Sequence, residues 1–406
     1  MSDANFELPL PTRLQGVGEY YFSRKLREIA ALRTRGVVVI NLGIGNPDLP
    51  PPPAAVEALV RDATSGSDAH GYQSYRGTQP WRESIRRWYD EVYGVRLGPA
   101  EVLPLAGSKE GIAHLCLAYL ERGSAVLHPD PGYPAYAAAA RLAEADAIGY
   151  RLPRFGESSS DWLASMASLP GFAKARVLFV NTPHMPTGAV LSAEHLAALV
   201  AFAKTHELLL VSDNAYNYYH PAGPVSLLGV AGAREVLVEL NSLSKSHHMP
   251  GWRLGALVGR ADVLERALQV KSNLDSGQFR GLQAGAAAAL TTPPEWHAER
   301  NATLAQRRVV GESLLRALGC SVPEAQAGLF VWAELPDGVR DAEAFADRLL
   351  TEARVFLPPG TVFGPAGAGH VRLSLCSPIA VLQRARVQLQ AAGLLVTDSP
   401  VSTLTT

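Results

Sequence analysis

The chain reads as an α/β fold: a mostly parallel sheet covered by helices on both faces, followed by a smaller α+β domain. Three observations predict it. Short apolar, β-rich runs alternate with helical patterns along the first part of the chain. The runs are continuously apolar, as strands buried on both faces are. After about residue 290 the alternation gives way to one long helix and a mixed set of shorter elements.

The strand candidates are "VVVINLGIG" (37–45), "SAVLHPDPGY" (124–133), "ARVLFVNTP" (175–183), "LLLVSDNAY" (208–216), "EVLVELNSLSK" (235–245) and "GALVG" (255–259). Each of the first five runs into a loop rich in Gly, Pro, Ser or Asn. Helices lie between them. "SKEGIAHLCLAYLERG" has Ser108 as a candidate N-cap and Gly123 as a terminator. "SAEHLAALVAFAKTHE" starts at Ser192 with Glu194 in its first turn. The later part carries a long helix (295–318), "AGLFVWAEL", a helix near 341–353, "VFLPPGTVFG", "HVRLSLC" and a last helix near 379–393. The N-terminal segment, with its proline cluster at Pro50 to Pro53, is expected to pack with this smaller domain.

Composition narrows the function classes. The chain has 406 residues, 47% apolar and 18% charged, enough for about two domains. A net charge of −1 gives no electrostatic reason to expect nucleic acid or an anionic membrane. Cys116, Cys320 and Cys376 are few and widely spaced, which predicts no disulfide framework and a cytoplasmic setting. The first residues, "MSDANFELPLPTRLQG", lack a secretory h-region, and no apolar run reaches the length of a membrane span.

Ligands of parallel sheets bind at the carboxyl ends of the strands, and the unusual loops fall there. In "NSLSKSHHMPGWRLG" (241–255), Lys245 sits among Ser242, Ser244 and Ser246, with Arg253 eight positions on (253 − 245 = 8). A lysine so placed is a candidate Schiff-base nucleophile, because desolvation and a nearby cation supply its free amine. The serines and Arg253 can hold a phosphate; taken alone, the motif describes a solvated loop more often than a site. In "AGSKEGI", Gly107, Ser108 and Lys109 open a helix and offer an anion site, although most capped helix starts bind nothing. Asp213 ends an apolar strand, with Tyr216 three residues later, suited to a protonated ring nitrogen and a ring oxygen or else to a structural cap. Tyr133, in "DPGYPAY", is suited to stack on a ring or to ordinary turn packing. In "NTPHMPTG" (181–188), Met185 sits at the tip of a Pro/Gly turn, where a methionine needs something apolar to cover or something soft to lie against.

Together these segments resemble the class I/II, fold-type I pyridoxal-phosphate aminotransferases over nearly the whole chain, from "NLGIGNPD" to "HVRLSL". "GSKEG" and "SLSKSH" are most similar to LL-diaminopimelate and alanine aminotransferase-like members. The resemblance implies an aspartate-aminotransferase-like architecture. A mostly parallel seven-stranded sheet forms a large pyridoxal-phosphate domain (56–289), and a small domain combines 1–55 with 290–406. It implies a cytoplasmic homodimer with shared active sites that moves an amino group from an L-amino acid to a 2-oxo acid by ping-pong chemistry. Lys245 would be the Schiff-base lysine and proton shuttle. Asp213 would keep the ring nitrogen protonated, Tyr216 would bond the phenolate oxygen, and Tyr133 would stack on the ring. Gly107, Ser108, Lys109, Ser242, Ser244 and Arg253 would hold the phosphate, with Tyr72 reaching it from the neighbouring subunit. Arg372 would grip the α-carboxylate, bordered by Gly45 and Asn181. Residues 273–280 would enter the pocket from the second subunit, and Tyr20, Tyr21 and Phe22 would form a lid.

One position departs from the family. The usual turn reads N-P-T-G; here it reads Met185-Pro186-Thr187-Gly188. Methionine cannot donate the hydrogen bond that asparagine gives the cofactor oxygen, so Met185 is expected to face that oxygen edge with Tyr216 as the remaining donor. Competing readings carry less. "SLSK" and "SDN" resemble penicillin-recognising motifs, but in the wrong order and without KTG. His247 and His248 lack partners at ligand spacing and read as loop packing. Other reactions on the same fold (β-elimination, decarboxylation, racemisation) use the same lysine. A non-enzymatic regulator would carry a basic DNA-binding segment, which this sequence does not show.

Overall fold

A computed structural model describes residues 8–15 and 17–396. Its largest element is a seven-stranded sheet. From edge to edge the strands are Val102–Leu105, Gly255–Gly259, Leu237–Ser242, Leu209–Asp213, Ala175–Val180, Ala125–Pro129 and Asp146–Tyr150. Gly255–Gly259 runs antiparallel to both neighbours, and the other pairings are parallel. Both faces are covered. Leu178, Val180 and Leu210 belong to one apolar cluster, whereas Val177, Phe179 and Val211 belong to another on the opposite side. That two-sided burial is why the central strands are apolar on both faces over most of their length.

Two strands of the sheet, Val102–Leu105 and Asp146–Tyr150, are absent from the sequence reading. Both lie at edges and are interrupted by Pro104 or Gly149, residues that weaken a strand signal. The run at 37–45 is no part of this sheet. It supplies two residues, Ile40–Asn41, which pair in parallel with Val355–Phe356. Ser108 is the first residue of its helix, not the cap; Gly107 takes the cap position, and the helix ends at Tyr119, before Gly123. Ser192 caps its helix as expected, its Oγ accepting the His195 amide at 3.2 Å.

The later part carries the long helix Pro294–Ala317, the helices Ala342–Ala353 and Ile379–Ala391, and an antiparallel pair, Phe330–Glu334 with His370–Ser374. These share an apolar cluster with Phe22, Ile40 and Leu42 from the N-terminal segment. The helix Tyr21–Thr34 adds an ion pair, Lys25 to Asp347 at 3.2 Å. Among the described residues no helix is long and apolar enough to cross a membrane.

Candidate active site

The carboxyl ends of four parallel strands open onto a cavity of about 660 Å³. Lining it are Ser108 and Lys109 from the helix start after Val102–Leu105, and Tyr133 beyond Ala125–Pro129. Asn181 and Met185 follow Ala175–Val180, and Asp213 and Tyr216 follow Leu209–Asp213. Ser242, Ser244, Lys245 and Arg253 come from the loop after Leu237–Ser242. Gly45, from the N-terminal segment, and Arg372, from the strand His370–Ser374, face them. Gly45 and Arg372, 327 positions apart (372 − 45 = 327), thus meet in one place.

Lys245 Nζ donates to the Gly45 carbonyl. Burial is the main influence on this amine and pushes it down to about 8, with Arg372 and Arg253 adding repulsion. Its backbone is pinned by Tyr219, whose hydroxyl donates to the Lys245 carbonyl at 2.6 Å. Ser242 Oγ accepts the Ser244 amide at 3.2 Å and so shapes the turn that presents the lysine.

Asp213 is buried. Its Oδ2 accepts the Tyr136 hydroxyl at 2.8 Å, while its Oδ1 has no partner. Burial raises the carboxyl to about 6, against the pull of Tyr136 and the Ala215 amide. A buried carboxylate oxygen left open onto a cavity calls for a donor, and a cationic one would restore the lost solvation.

Arg253 arches over the helix start, Nη2 donating to the Ala106 carbonyl at 2.9 Å and Nη1 to Pro250 at 3.1 Å. It packs so tightly on Gly107 (φ +86°) that a side chain there would collide with the guanidinium. Behind this loop, Glu110 accepts the Ala106 amide and the ammonium of buried Lys271 at 2.8 Å. Lys271 also pairs with Asp275 at 2.6 Å. Glu110, His114 and Asp275 lie close enough to suggest a metal cluster. The Lys271 ammonium already supplies the positive charge between the two carboxylates.

Arg372 is buried within the wall, and burial pushes its guanidinium down to about 10. Nη2 donates to the Gly43 carbonyl at 2.6 Å, and Nε is buried without a partner. Nη1 donates to Met185 Sδ at 3.3 Å. The soft group that Met185 lies against is therefore the arginine. The backbone amide of Met185 donates to Asn181 Oδ1 at 2.8 Å, and Asn181 Nδ2 donates to the Asp213 carbonyl at 2.7 Å. Both ends of the Asn181 amide thus tie the turn to the adjacent strand.

Tyr72 stands apart, 96% exposed and outside the cavity. In the 273–280 segment, Gln278 Nε2 donates to the Arg253 carbonyl of the same chain at 2.5 Å. Tyr20 and Phe22 line the cavity, whereas Tyr21 is half-buried against the apolar cluster of Ile29 and Phe356, beside Lys25. His247 and His248 are buried among Trp296 and its neighbours, the packing role expected of them. Sequence reasoning missed Tyr136, Phe330 and Phe363, which have no local motif.

An α/β sheet whose strand ends gather a buried lysine, an unpaired carboxylate and an anion cradle defines a pyridoxal-phosphate enzyme. The model of aminotransferase class I and II matches residues 37–388, and the chain belongs to that family. It is 38% identical to an LL-diaminopimelate aminotransferase of Moorella thermoacetica over 368 residues, 89% of this chain and 93% of the relative. A probable N-succinyldiaminopimelate aminotransferase structure from Thermus thermophilus aligns at TM-score 0.82 and 36% identity. The alignment covers 91% of this chain and 99% of that one. An aromatic aminotransferase structure from Pyrococcus horikoshii aligns at TM-score 0.80 and 27% identity, covering 90% and 99%. The chemistry is amino-group transfer between small amino and 2-oxo acids on pyridoxal phosphate, favoured over the other reactions of the fold. The open Asp213 Oδ1, the Gly107–Arg253 cradle and the depressed Lys245 amine fit that cofactor.

Proposed function

We propose that the chain moves an amino group from an L-amino acid to a 2-oxo acid in two half-reactions at this one cavity. The carrying observation is the convergence of Lys245, the unpaired Asp213 Oδ1 and Arg372 on the same space. When bound, pyridoxal phosphate supplies an aldehyde carbon that exchanges amino groups and a ring that accepts electrons from the substrate Cα. Lys245 Nζ takes the Cα proton, and its depressed basicity makes the neutral amine available near neutral pH. Asp213 Oδ1 would hold a proton on the ring nitrogen. Tyr216 would donate to the ring oxygen, and Tyr133 would stack on the ring. Ser108, Lys109, Ser242, Ser244 and Arg253 would hold the phosphate, and Arg372 would hold the α-carboxylate, bordered by Gly45 and Asn181.

The chain acts as a cytoplasmic homodimer in this reading. The solvent position of Tyr72, outside its own cavity, supports service to a neighbouring site. The division into 56–289 and 1–55 with 290–406 is supported by the separate clusters around the large sheet and around the Phe330–Glu334 pair. Lys245→Ala is the decisive variant. It should retain the parent circular dichroism and lose turnover; normal transamination by that variant overturns the assignment.

A further inference from the structure

The cavity carries information about the substrate side chain, provided that Arg372 holds the α-carboxylate and Lys245 faces Cα as proposed above. Three aromatic rings cover the Arg372 guanidinium: Phe330 at 3.9 Å from its centroid, Phe363 at 4.4 Å and Phe22 at 5.4 Å. Leu26 and Ile44 extend the same wall. A substrate anchored by its carboxylate on that arginine therefore lays its side chain among aromatic and aliphatic groups.

Among the described residues Asp213 is the one carboxylate lining the cavity, and it already accepts the Tyr136 hydroxyl. No second carboxylate there would pair with a distal ammonium. The segments expected to cross between subunits do not repair this. Gly71 to Gly77, "GYQSYRG", has no acidic residue, and Asp275 is held by Lys271 at 2.6 Å. Lys109 is exposed, its ammonium over the Tyr20 ring at 4.7 Å. A buried ammonium without a partner is costly, whereas an apolar side chain gains from the same walls.

We propose that the favoured substrate is an L-amino acid with an uncharged aromatic or large aliphatic side chain, with its 2-oxo acid, and not a diamino acid such as LL-diaminopimelate. The same holoenzyme is given L-phenylalanine, L-leucine, L-lysine and LL-diaminopimelate singly, and loss of the cofactor's visible absorbance is timed. L-Phenylalanine should exceed L-lysine and LL-diaminopimelate by about a hundredfold or more in kcat/KM, because a site without a partner rejects a buried charge strongly. Equal or faster reaction with LL-diaminopimelate or L-lysine overturns the proposal while leaving amino transfer intact. No absorbance change with any donor overturns amino transfer itself, and this proposal with it. Phe363→Ala serves as a second readout. It should lower kcat/KM for L-phenylalanine by about tenfold and for L-alanine by much less. Equal losses would show that Phe363 acts only through Arg372, against the proposal.

Discussion

Replacing Lys271 with methionine strips two carboxylates of their counter-ion. The ammonium lies 2.8 Å from Glu110 and 2.6 Å from Asp275, and the lysine side chain is 3% exposed. Removing one partner of a buried pair leaves an uncompensated charge, at a cost of about 3–5 kcal/mol. Asp275 is 35% exposed and can turn to water, so the lower end, about 3 kcal/mol, is expected. The cost depends on pH. Burial, followed by the hydrogen bond to Asp275, already holds the Glu110 carboxyl above its ordinary value, while Lys271 and the Ala106 amide pull it down. Without Lys271 it rises further. A carboxyl raised in the folded state contributes stability that is present below its unfolded pKa and lost as pH rises through the folded one. The deficit of the variant should be largest near pH 8 and shrink towards pH 5. Urea unfolding of the apoprotein at both values measures it. Cofactor titration should show weaker binding as well, since Glu110 anchors the Ala106 amide and Arg253 the Ala106 carbonyl. A change under about 1 kcal/mol at pH 8, or a deficit that grows as pH falls, refutes the reasoning.

Two other predictions concern the cofactor face. Met185→Asn restores a side-chain donor beside the ring and gives Arg372 an oxygen acceptor in place of sulfur. The pH midpoint of the holoenzyme's visible absorbance should move, and superimposable titrations of the two proteins would remove Met185 from the cofactor's surroundings. Lys245 is depressed to about 8 by burial, so its neutral fraction grows as pH rises and is half at about pH 8. Capture of pyridoxal phosphate by the apoprotein should therefore accelerate from pH 6 to about 8 and then level off. A rate still climbing tenfold per unit above pH 9 would mean an ordinary, solvated lysine.

Tertiary placement decided what the sequence could only offer as alternatives. Met185 reads in the sequence as a turn residue in need of a soft neighbour; within the cavity wall its sulfur accepts from Arg372, 187 positions away. Tyr136 holds Asp213 across 77 positions, and no local pattern announces that bond. Phe330 and Phe363, which line the cavity and join the apolar cluster of the later part, carry no local motif in the sequence. The run at 37–45 had the composition of a sheet strand, yet its two paired residues join Val355–Phe356.

The sequence by itself determined the chemistry-bearing loops. Lys245 and Arg253 share one loop, Ser108 and Lys109 open one helix, and Asp213 closes one strand. Each depends on turn, cap or strand-end preferences written within about ten residues. Which of those loops face each other follows from strand order, and that order, with Gly255–Gly259 inserted between Val102–Leu105 and Leu237–Ser242, is not the order of the chain. It is set by burying both faces of the sheet at once, a condition on the whole molecule that no short segment can express.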